Sequence, residues 1–331
     1  MTELEKSAYL LIRRGVASSR AELARRLGVS RPTASSAAEG LLGRGLIREC
    51  GKGKSTGGAT PILLAAEPGA PGFVGIDLGY ADRMSAVLLD GAGGIVVREE
   101  CAFDPLSLRS IVENSERMVR SLSAGTRITG LAVALSAIID EESGEVLRSV
   151  DPVLRGGGIR EKLAEKLGIP VFAMNRSRAA AVSEAFGGAA ECGEDFALIS
   201  LGKSVGAAFW CGGRLFCGSG SAAGEIRSLR VAGGERLEEA LSPARCANAD
   251  RSEIAATCAD ALSQVIDIMD LKLLVLSGRF ADFGGGFAPA LEARLAGTGH
   301  GGARVRQARF GRFSAARGSA FRMGELVIPS P

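Results

Sequence analysis

Apolar and polar positions in residues 1–64, which we call the head, form a pattern that predicts three short helices. Four apolar residues near the start recur at the spacing of one helical face: Leu4, Ala8, Leu11 and Ile12. The segment SRAE (19–22) is a capping box that begins a second helix, which runs to Leu27 before Gly28 ends it. Ser30 can cap a third helix, because Pro32 falls in its first turn, where a missing N–H does no harm.

The third helix presents short polar side chains and one arginine before its apolar end: Ser30, Arg31, Thr33, Ser35 and Ser36. Beyond it, LIREC (46–50) and PILLA (61–65) each read as a strand, and the glycine- and lysine-rich segment 51–60 reads as a loop between them. Two helices joined by a glycine turn and followed by a β-wing make up a winged helix-turn-helix. We therefore expect the head to form this DNA-binding module.

A different kind of sequence begins after AAEPGAPG (65–72), which we interpret as a linker. GFVGIDLGY reads as a buried strand that ends near Asp77 and Gly79, and two further apolar strands, MSAVLLD and IVVREE, follow it in a meander. An Asp-x-Gly turn lets backbone amides approach phosphates while the carboxylate holds a metal-bound water. Buried strands among many glycines predict an α/β fold for residues 73–331, which we call the body.

Composition narrows the class of protein. The chain has 331 residues, 46% of them apolar and 23% charged, which excludes collagen, a disordered chain and a small disulfide-stapled scaffold. The seven cysteines are an odd number without a C-x-x-C pair, and His300 is the only histidine, so neither a zinc knuckle nor histidine-based catalysis is expected. No apolar run approaches a membrane span and the N-terminus lacks the apolar core of a signal peptide, so we expect a cytoplasmic protein.

Basic charge is concentrated at the N-terminus. The first 62 residues hold 11 Lys and Arg against 5 Glu, a balance of +6, and the remaining 29 basic and 32 acidic residues give −3. A basic head on a slightly acidic body favours double-stranded DNA as the partner of the head. We expect Arg31 of the third helix to contact base edges in the major groove, and Arg20, Lys52 and Lys54 to contact phosphates.

Several ordered motifs resemble the ROK family, named for repressors, open reading frames and sugar kinases. The segment SSRAELARRLGVSRPTASSAAEGLLGRGLIRECGKG is similar to the winged-helix head of the family's repressors. The body resembles the family's two-lobed, actin-like (ribonuclease H-like) domain at GIDLG, LAVALSAIIDEESGEVL, LGIPVFAMNRSRAAAVSEAF, ISLGKSVGAAFWCGGRLFCGSGSAAGEI, LVLSGRF and FSAARGSAFRMGEL. The resemblance implies one lobe over about 73–178 with a closing helix at 314–331, and a second lobe over about 179–313.

Departures from the family pattern separate a regulator from a kinase. Family kinases take the proton of the sugar hydroxyl with the aspartate of an Asn-Asp pair, and here the pair reads Asn175-Arg176. An arginine stays protonated and cannot act as this base, so we expect no catalytic residue and no kinase activity. Ser228 replaces the family's zinc-binding histidine and no cysteine lies between Cys217 and Cys246, so neither a metal nor another cofactor is expected.

The resemblance also implies vestigial phosphate loops and a degenerate sugar pocket. The phosphate-loop residues are Asp77, Gly79, Gly202 and Gly206, and the second loop reads GKSVG in place of Gly-Thr-Gly-x-Gly, which argues against ATP binding. The pocket residues are Asp151, Asn175, Arg176, Glu225, Ser228 and Glu238. Three outcomes stay open: Arg176 pairs with Glu225 or Glu238 and fills the pocket, it binds a sugar acid or sugar phosphate, or the pocket takes a neutral sugar.

The sequence therefore predicts a DNA-binding transcriptional regulator, and among regulators a repressor of carbohydrate-related genes. A palindromic operator requires two heads, so we expect a homodimer or homotetramer. A sugar kinase with a regulatory head is the alternative, favoured by Asp77 and opposed by Arg176, and an interaction protein tethered to DNA is a third. In the wing, Gly57-Gly58 is followed by Ala59 where the family's repressors often carry an arginine.

Overall fold

The computed structural model describes residues 1–54, 60–79, 83–149, 151–155 and 158–328. The head elements, in chain order, are α1 (Glu3–Arg13), α2 (Arg20–Leu27), α3 (Arg31–Gly43), β1 (Ile47–Lys52) and β2 (Ile62–Ala66). The side chains of Thr2, Ser19 and Ser30 cap the three helices, and Gly28 ends α2 in the left-handed conformation. The strands β1 and β2 pair antiparallel, so the elements follow the predicted order.

The predicted capping box of α2 forms in a shifted arrangement. The hydroxyl of Ser19 accepts from the amide of Glu22 at 3.3 Å, as predicted. The carboxylate of Glu22, however, accepts from the amide and the hydroxyl of Ser18, at 2.7 and 2.9 Å, instead of from the amide of Ser19. Ser19 itself bridges to Leu63 in β2, so the start of α2 is held against the sheet of the head.

The connection between head and body is shorter than the sequence predicted. β2 ends at Ala66 and β3 begins at Gly72, so only residues 67–71 lie between the two strands. The predicted end of the head at 64 and the predicted linker 65–72 are corrected accordingly. The reason is strand pairing, because Ala65 and Ala66 continue the ladder opposite Arg48 and Ile47.

The first part of the body is a mixed sheet with helices on its outer face. Its elements are β3 (Gly72–Asp77), β4 (Arg83–Leu89), β5 (Ile95–Ala102), α4 (Leu108–Leu122), β6 (Ile128–Leu135), β7 (Ile138–Ile139), β8 (Val146–Arg148), α5 (Pro152–Arg155), α6 (Ile159–Leu167) and β9 (Val171–Asn175). The described strands are ordered β5-β4-β3-β6-β9; β3, β4 and β5 form the predicted antiparallel meander, and β6 and β9 run parallel to β3. Apolar side chains of α4 and α6 cover one face of this sheet.

The second part of the body repeats this plan. Its helices and strands are α7 (Arg176–Ala185), β10 (Phe196–Leu201), β11 (Val205–Cys211), β12 (Arg214–Phe216), α8 (Leu237–Ala240), α9 (Pro243–Asn248), α10 (Arg251–Met269), β13 (Leu273–Gly278), α11 (Phe287–Gly297), β14 (Arg304–Gln307) and α12 (Ser314–Leu326). Three 3-10 turns lie at Ile226–Ser228, Arg279–Phe283 and Gly311–Phe313 in the described chain. The sheet order is β12-β11-β10-β13-β14, and α10 and α11 cover its outer face.

Helices α7 and α12 pack against each other between the two sheets, and one apolar core joins all four elements. Glycines permit this close approach: a side chain at Gly75 of β3 would collide with the carbonyl of Ala316, and one at Gly318 with the carbonyl of Ala179. The predicted lobe boundary at 178–179 therefore falls inside α7, a helix that both sheets share. The closing helix begins at Ser314, the residue predicted from the sequence.

The head is docked on the body through a buried arginine of α1. Arg13 donates from Nε to the carbonyl of Gly91 at 3.2 Å and from Nη1 to the carbonyl of Phe321 at 2.8 Å. Its guanidinium lies 4.2 Å from the ring centroid of Phe321 and 5.6 Å from that of Phe73. The hydroxyl of Tyr9 also donates to Gly91, so α1 contacts both the meander and α12.

A second ionic contact joins the head to α12. Arg14 Nε lies 2.6 Å from Oε1 of Glu325, and Arg322 Nη1 lies 2.9 Å from Oε2 of the same carboxylate. Burial by itself raises the pKa of Glu325, but the hydrogen bonds from Arg14 and Arg322 outweigh it, so the pKa lies below its ordinary value of 4.5.

Replacing Arg13 with alanine is expected to undock the head. Two buried carbonyls lose their charged donor and a cavity opens beside Phe321, so we expect the free energy of unfolding to fall by about 2–4 kcal/mol. Urea denaturation measures this loss, and limited proteolysis within residues 67–71 measures the undocking. The exposed Arg25→Ala is the matched control, and equal stability of the two variants would contradict the docking role.

The contact at Glu325 should make stability depend on pH. Because the folded-state pKa is lowered, the contribution of Glu325 is present above the unfolded pKa and is lost as pH falls through the folded pKa. We expect the stability difference between the wild type and Glu325→Gln to be largest near pH 7 and to shrink as pH falls toward about 3. A difference that stays constant over this range would show that the ion pair contributes nothing.

Candidate functional site

The outer side of α3 carries the polar residues predicted to contact DNA. Arg31, Thr33 and Ser36 are exposed and Ser35 is half-buried, while Ala34, Ala38 and Leu41 face the core of the head. The hydroxyl of Ser30 accepts from the amide of Thr33 at 3.3 Å and lies 2.7 Å from its hydroxyl. Ser30 therefore holds the first turn of α3, and the remaining polar side chains cover the half of the helix that faces away from the core.

Arg20, predicted to contact phosphate, is engaged inside the head. Its Nη2 lies 2.6 Å from Oε1 of Glu39 in α3 and 2.9 Å from Oε1 of Glu49 in β1. The hydrogen bond that Arg20 donates to Glu39 is the main reason why the pKa of Arg20 is raised. A phosphate contact by Arg20 would have to compete with these two carboxylates.

The wing carries the two lysines predicted to contact phosphates. Lys52 ends β1 and Lys54 follows it, and both side chains are exposed. The Gly57-Gly58-Ala59 segment, on which the wing expectation depended, lies outside the described residues.

In the body, Arg176 lies between the ends of strands from both sheets. It is the first residue of α7, and Asn175 caps this helix by accepting from the amide of Arg178 at 3.2 Å. Arg176 Nε lies 3.0 Å from each carboxylate oxygen of Asp77 at the end of β3, and Nη1 lies 2.7 Å from the hydroxyl of Ser200 in β10. The side chains of Arg176 and Asp77 are 6% and 0% exposed, so this is a buried ion pair.

The same guanidinium fills the space between the two segments predicted to be vestigial phosphate loops. A side chain at Gly79 would collide with Arg176, and one at Gly202 would lie 2.7 Å from Nη1 of Arg176. The amide of Lys203 donates to the carbonyl of Gly79 at 3.1 Å, so the loops are also hydrogen-bonded directly. Amides that would cradle phosphates in an open loop are here committed to the protein itself.

The ion pair that Arg176 forms is with Asp77, where one of the three alternatives had Glu225 or Glu238. Arg176 reaches Asp77 instead, because its position in the first turn of α7 aims it at the end of β3. Glu225 lies 3.5 Å from Arg227, and Glu238 lies 3.9 Å from the same arginine and 3.7 Å from Arg236.

The remaining pocket residues enclose a cavity of only about 110 Å³. Asp151 and Glu225 line it, but Asp151 pairs with Lys203 at 3.2 Å. The amide group of Asn175 donates to the carbonyl of Ala137 at 2.8 Å, so both ends of this side chain are in use. Ser228 is exposed on a 3-10 turn and does not line the cavity, and neither does Glu238.

Sequence reasoning missed Arg178, which joins the two halves of the body. Its guanidinium donates to Glu141 at 3.1 Å on the first half and to the carbonyls of Cys217 and Ser221, at 3.2 and 2.8 Å, on the second. Burial raises the pKa of Glu141 although Arg178 opposes this. The available signal was an arginine inside an apolar helix, since such a buried charge requires partners.

No three His, Cys, Asp or Glu side chains in the described ranges come together as a metal site. Cys217 and Cys246 are free, and burial raises the pKa of both thiols. None of the helices that the structure describes has the length and apolarity needed to cross a membrane.

The fold is an α/β fold of two sheets around a central helix pair, shared with solved kinases and regulators. A model of the ROK family matches residues 73–250, more than half of the chain, and the protein belongs to the ROK family. A solved ROK family transcriptional regulator, a homologue of the E. coli MLC protein, has a TM-score of 0.75 at 16% identity and covers 97% of this chain and 95% of its own. A ROK glucokinase from Streptomyces griseus has a TM-score of 0.67 at 20% identity and covers 75% of this chain and 98% of its own.

Two relatives identified by sequence are a repressor and a dual regulator of transcription. The xylose repressor of Caldicellulosiruptor bescii is 27% identical over 220 residues, which are 63% of this chain and 53% of the repressor. The transcriptional dual regulator NagC of Escherichia coli is 27% identical over 201 residues, 58% of this chain and 48% of that protein. The matched region thus spans about half the length of these curated relatives.

Removing one partner of the buried ion pair should destabilise the folded protein. Arg176→Met leaves the Asp77 carboxylate buried without its cation, so we expect a loss of about 3–5 kcal/mol in the free energy of unfolding. The double variant Arg176→Met/Asp77→Asn should recover much of this loss, and urea denaturation of all four proteins gives the coupling energy. The exposed Arg148→Met is the control, and additive effects of the two substitutions would contradict the pairing.

Proposed function

We propose that this protein is a DNA-binding transcriptional repressor of carbohydrate-related genes. A winged helix-turn-helix head supports this proposal, with α2, the Gly28 turn and α3 followed by the β1–β2 wing. The excess of positive charge in the first 62 residues and the exposed Arg31, Lys52 and Lys54 suit a phosphate-lined partner. Similarity to a xylose repressor and to NagC supports the carbohydrate link.

The observation that carries the non-kinase part of the proposal is the contact of Arg176 with Asp77. Phosphoryl transfer needs a base at the attacking hydroxyl and space between the loops for phosphates and their metal ion. Here a permanent cation stands at the position of the family's base, and it also fills the space between Gly79 and Gly202. One side chain therefore removes the base and occupies the phosphate site.

The body then serves to hold two heads in register and to receive a signal. Of the three outcomes for the old sugar pocket, the small cavity of about 110 Å³ favours an occupied pocket, because it is smaller than the cavity of about 150 Å³ that is known to accept a benzene ring. A sugar acid or sugar phosphate would have to displace Asp151 from Lys203. We further propose a homodimer or larger homo-oligomer, since a palindromic operator binds two heads.

Substitutions in the head should separate sequence reading from phosphate binding. Arg31→Ala is expected to lower the preference for operator over random duplex by about 1–3 kcal/mol, because a base-edge contact is lost. Lys52→Ala and Lys54→Ala should weaken binding to both duplexes alike and make the binding affinity less dependent on salt concentration. Fluorescence anisotropy at several salt concentrations measures both quantities, and Arg109→Ala in the body is the control. If Arg31→Ala lowers the affinity for operator and random duplex equally, Arg31 positions the head on DNA and does not read its sequence.

The kinase alternative has a direct test. A coupled assay with ATP across common hexoses and N-acetylated amino sugars should give no turnover above the blank, and calorimetry should detect no ATP binding. The positive control is an active ROK glucokinase in the same assay. Sugar-dependent turnover by the wild-type chain would overturn the non-kinase assignment and support a kinase with a regulatory head.

A further inference from the structure

A second cavity, which we call the junction cavity, lies where the head, both sheets and α12 meet. Its volume is about 210 Å³, about twice that of the cavity beside Arg176. Arg14 after α1, Glu141 after β7, Trp210 of β11, Leu215 of β12 and Arg322 of α12 all line it. A molecule bound here would contact the head, both halves of the body and the helix between them at once.

One side of the junction cavity is an apolar and aromatic wall. Trp210 and Leu215 from the second sheet meet Val182 and Phe186 of α7, and the rings of Phe186 and Trp210 pack edge to face at 5.3 Å. Such a wall suits a flat apolar group. A smaller apolar cavity, of about 150 Å³, is known to accept benzene, so the junction cavity has room for a six-membered ring with a substituent.

The other lining groups carry an excess of positive charge. Arg14 and Arg322 share one carboxylate, that of Glu325. Arg214 also lines the cavity and is exposed, and its side chain makes no hydrogen bond or ion pair with any residue that the structure describes. Against three arginines the lining has only the carboxylates of Glu325 and Glu141, and Glu141 is already paired with Arg178. A ligand carboxylate would balance the remaining positive charge, since guanidinium groups bind carboxylates with charge-assisted hydrogen bonds.

Glu141 adds a second polar requirement. Its Oε1 accepts from Arg178 at 3.1 Å, whereas Oε2 is buried and has no hydrogen-bond partner in the described part of the chain. A buried carboxylate oxygen without a partner costs free energy that a bound group can recover. A hydroxyl fits this position, because it donates to a carboxylate and accepts from a protonated one.

We propose that the junction cavity binds a small hydroxylated aromatic carboxylate. The ring lies against Trp210 and Leu215, the carboxylate is bound by Arg214 and Arg322, and the hydroxyl satisfies Glu141. This site is separate from the old sugar pocket, which lies on the side of α7 that holds Arg176.

Binding at this cavity would act on the head through residues already described. Arg14 belongs to the head and contacts both the cavity and Glu325, so a new carboxylate competes for the arginine that helps to dock α1 on α12. The affinity of the head for DNA then changes with ligand. This coupling rests on the proposed function, whereas the binding itself does not.

The sole tryptophan of the sequence makes binding directly measurable. Because Trp210 lines the junction cavity, its fluorescence reports occupancy without a label. We expect saturable fluorescence changes in the full chain with 4-hydroxybenzoate, weaker binding of benzoate, and the weakest binding of the uncharged benzamide. Thermal shifts should follow the same order.

Two variants assign the polar contacts. Arg214→Gln changes an exposed position and should not affect folding. We expect it to weaken the binding of both 4-hydroxybenzoate and benzoate about tenfold and to leave the binding of benzamide unchanged. Glu141→Gln should reduce the advantage of 4-hydroxybenzoate over benzoate. Arg148→Gln, also exposed but outside the cavity lining, is the matched control and should bind like the wild type.

The outcomes separate the site from its role. The proposed binding site is contradicted if none of the three compounds changes Trp210 fluorescence or the melting temperature. It is also contradicted if Arg214→Gln binds the carboxylates as tightly as the wild type does. Ligand binding without any change in operator affinity overturns its role as an effector site and leaves the site supported. Loss of operator binding in the absence of every ligand contradicts the proposed function instead, and the fluorescence titration still decides the site.

Discussion

The buried ion pair between Arg176 and Asp77 is the constraint on which the rest of the body depends. It joins the first helix of one half to the central strand of the other, and the arginine fills the space beside Gly79 and Gly202. Neither partner can be removed alone, since a lone charge at this depth is strongly unfavourable. A fold known from sugar kinases is thereby held in one arrangement by a contact that needs no nucleotide.

The helix pair α7 and α12 connects the Arg176–Asp77 ion pair to the rest of the molecule. Arg176 and Arg178, two residues apart on α7, each bind both halves of the body: Arg176 binds Asp77 and Ser200, and Arg178 binds Glu141 and two carbonyls of the second half. Helix α12 then contacts α7 along its length and carries Phe321 and Glu325 to the head. The cleft, the central helices and the head therefore form one continuous path of polar and apolar contacts.

Local signals made most of the fold predictable. Capping residues and Gly28 located the helices of the head, and uninterrupted apolar runs located the buried strands of the body, because both are short-range patterns. The partners of Arg176 were not predictable: Asp77 lies 99 residues away, and only the packing of α7 between the sheets brings the two together. Arg178 and the junction cavity depend in the same way on contacts between distant segments.

The short connection at 67–71 and the buried Arg13 together hold the head against the body. A head on a long flexible tether could reach half-sites at many separations, and its operators would vary in spacer length. In the proposed dimer, the distance between the two α3 helices would be set by how the bodies associate. The base-pair spacing of the proposed operator would then be encoded in the interface between the bodies, far from the residues proposed to contact DNA.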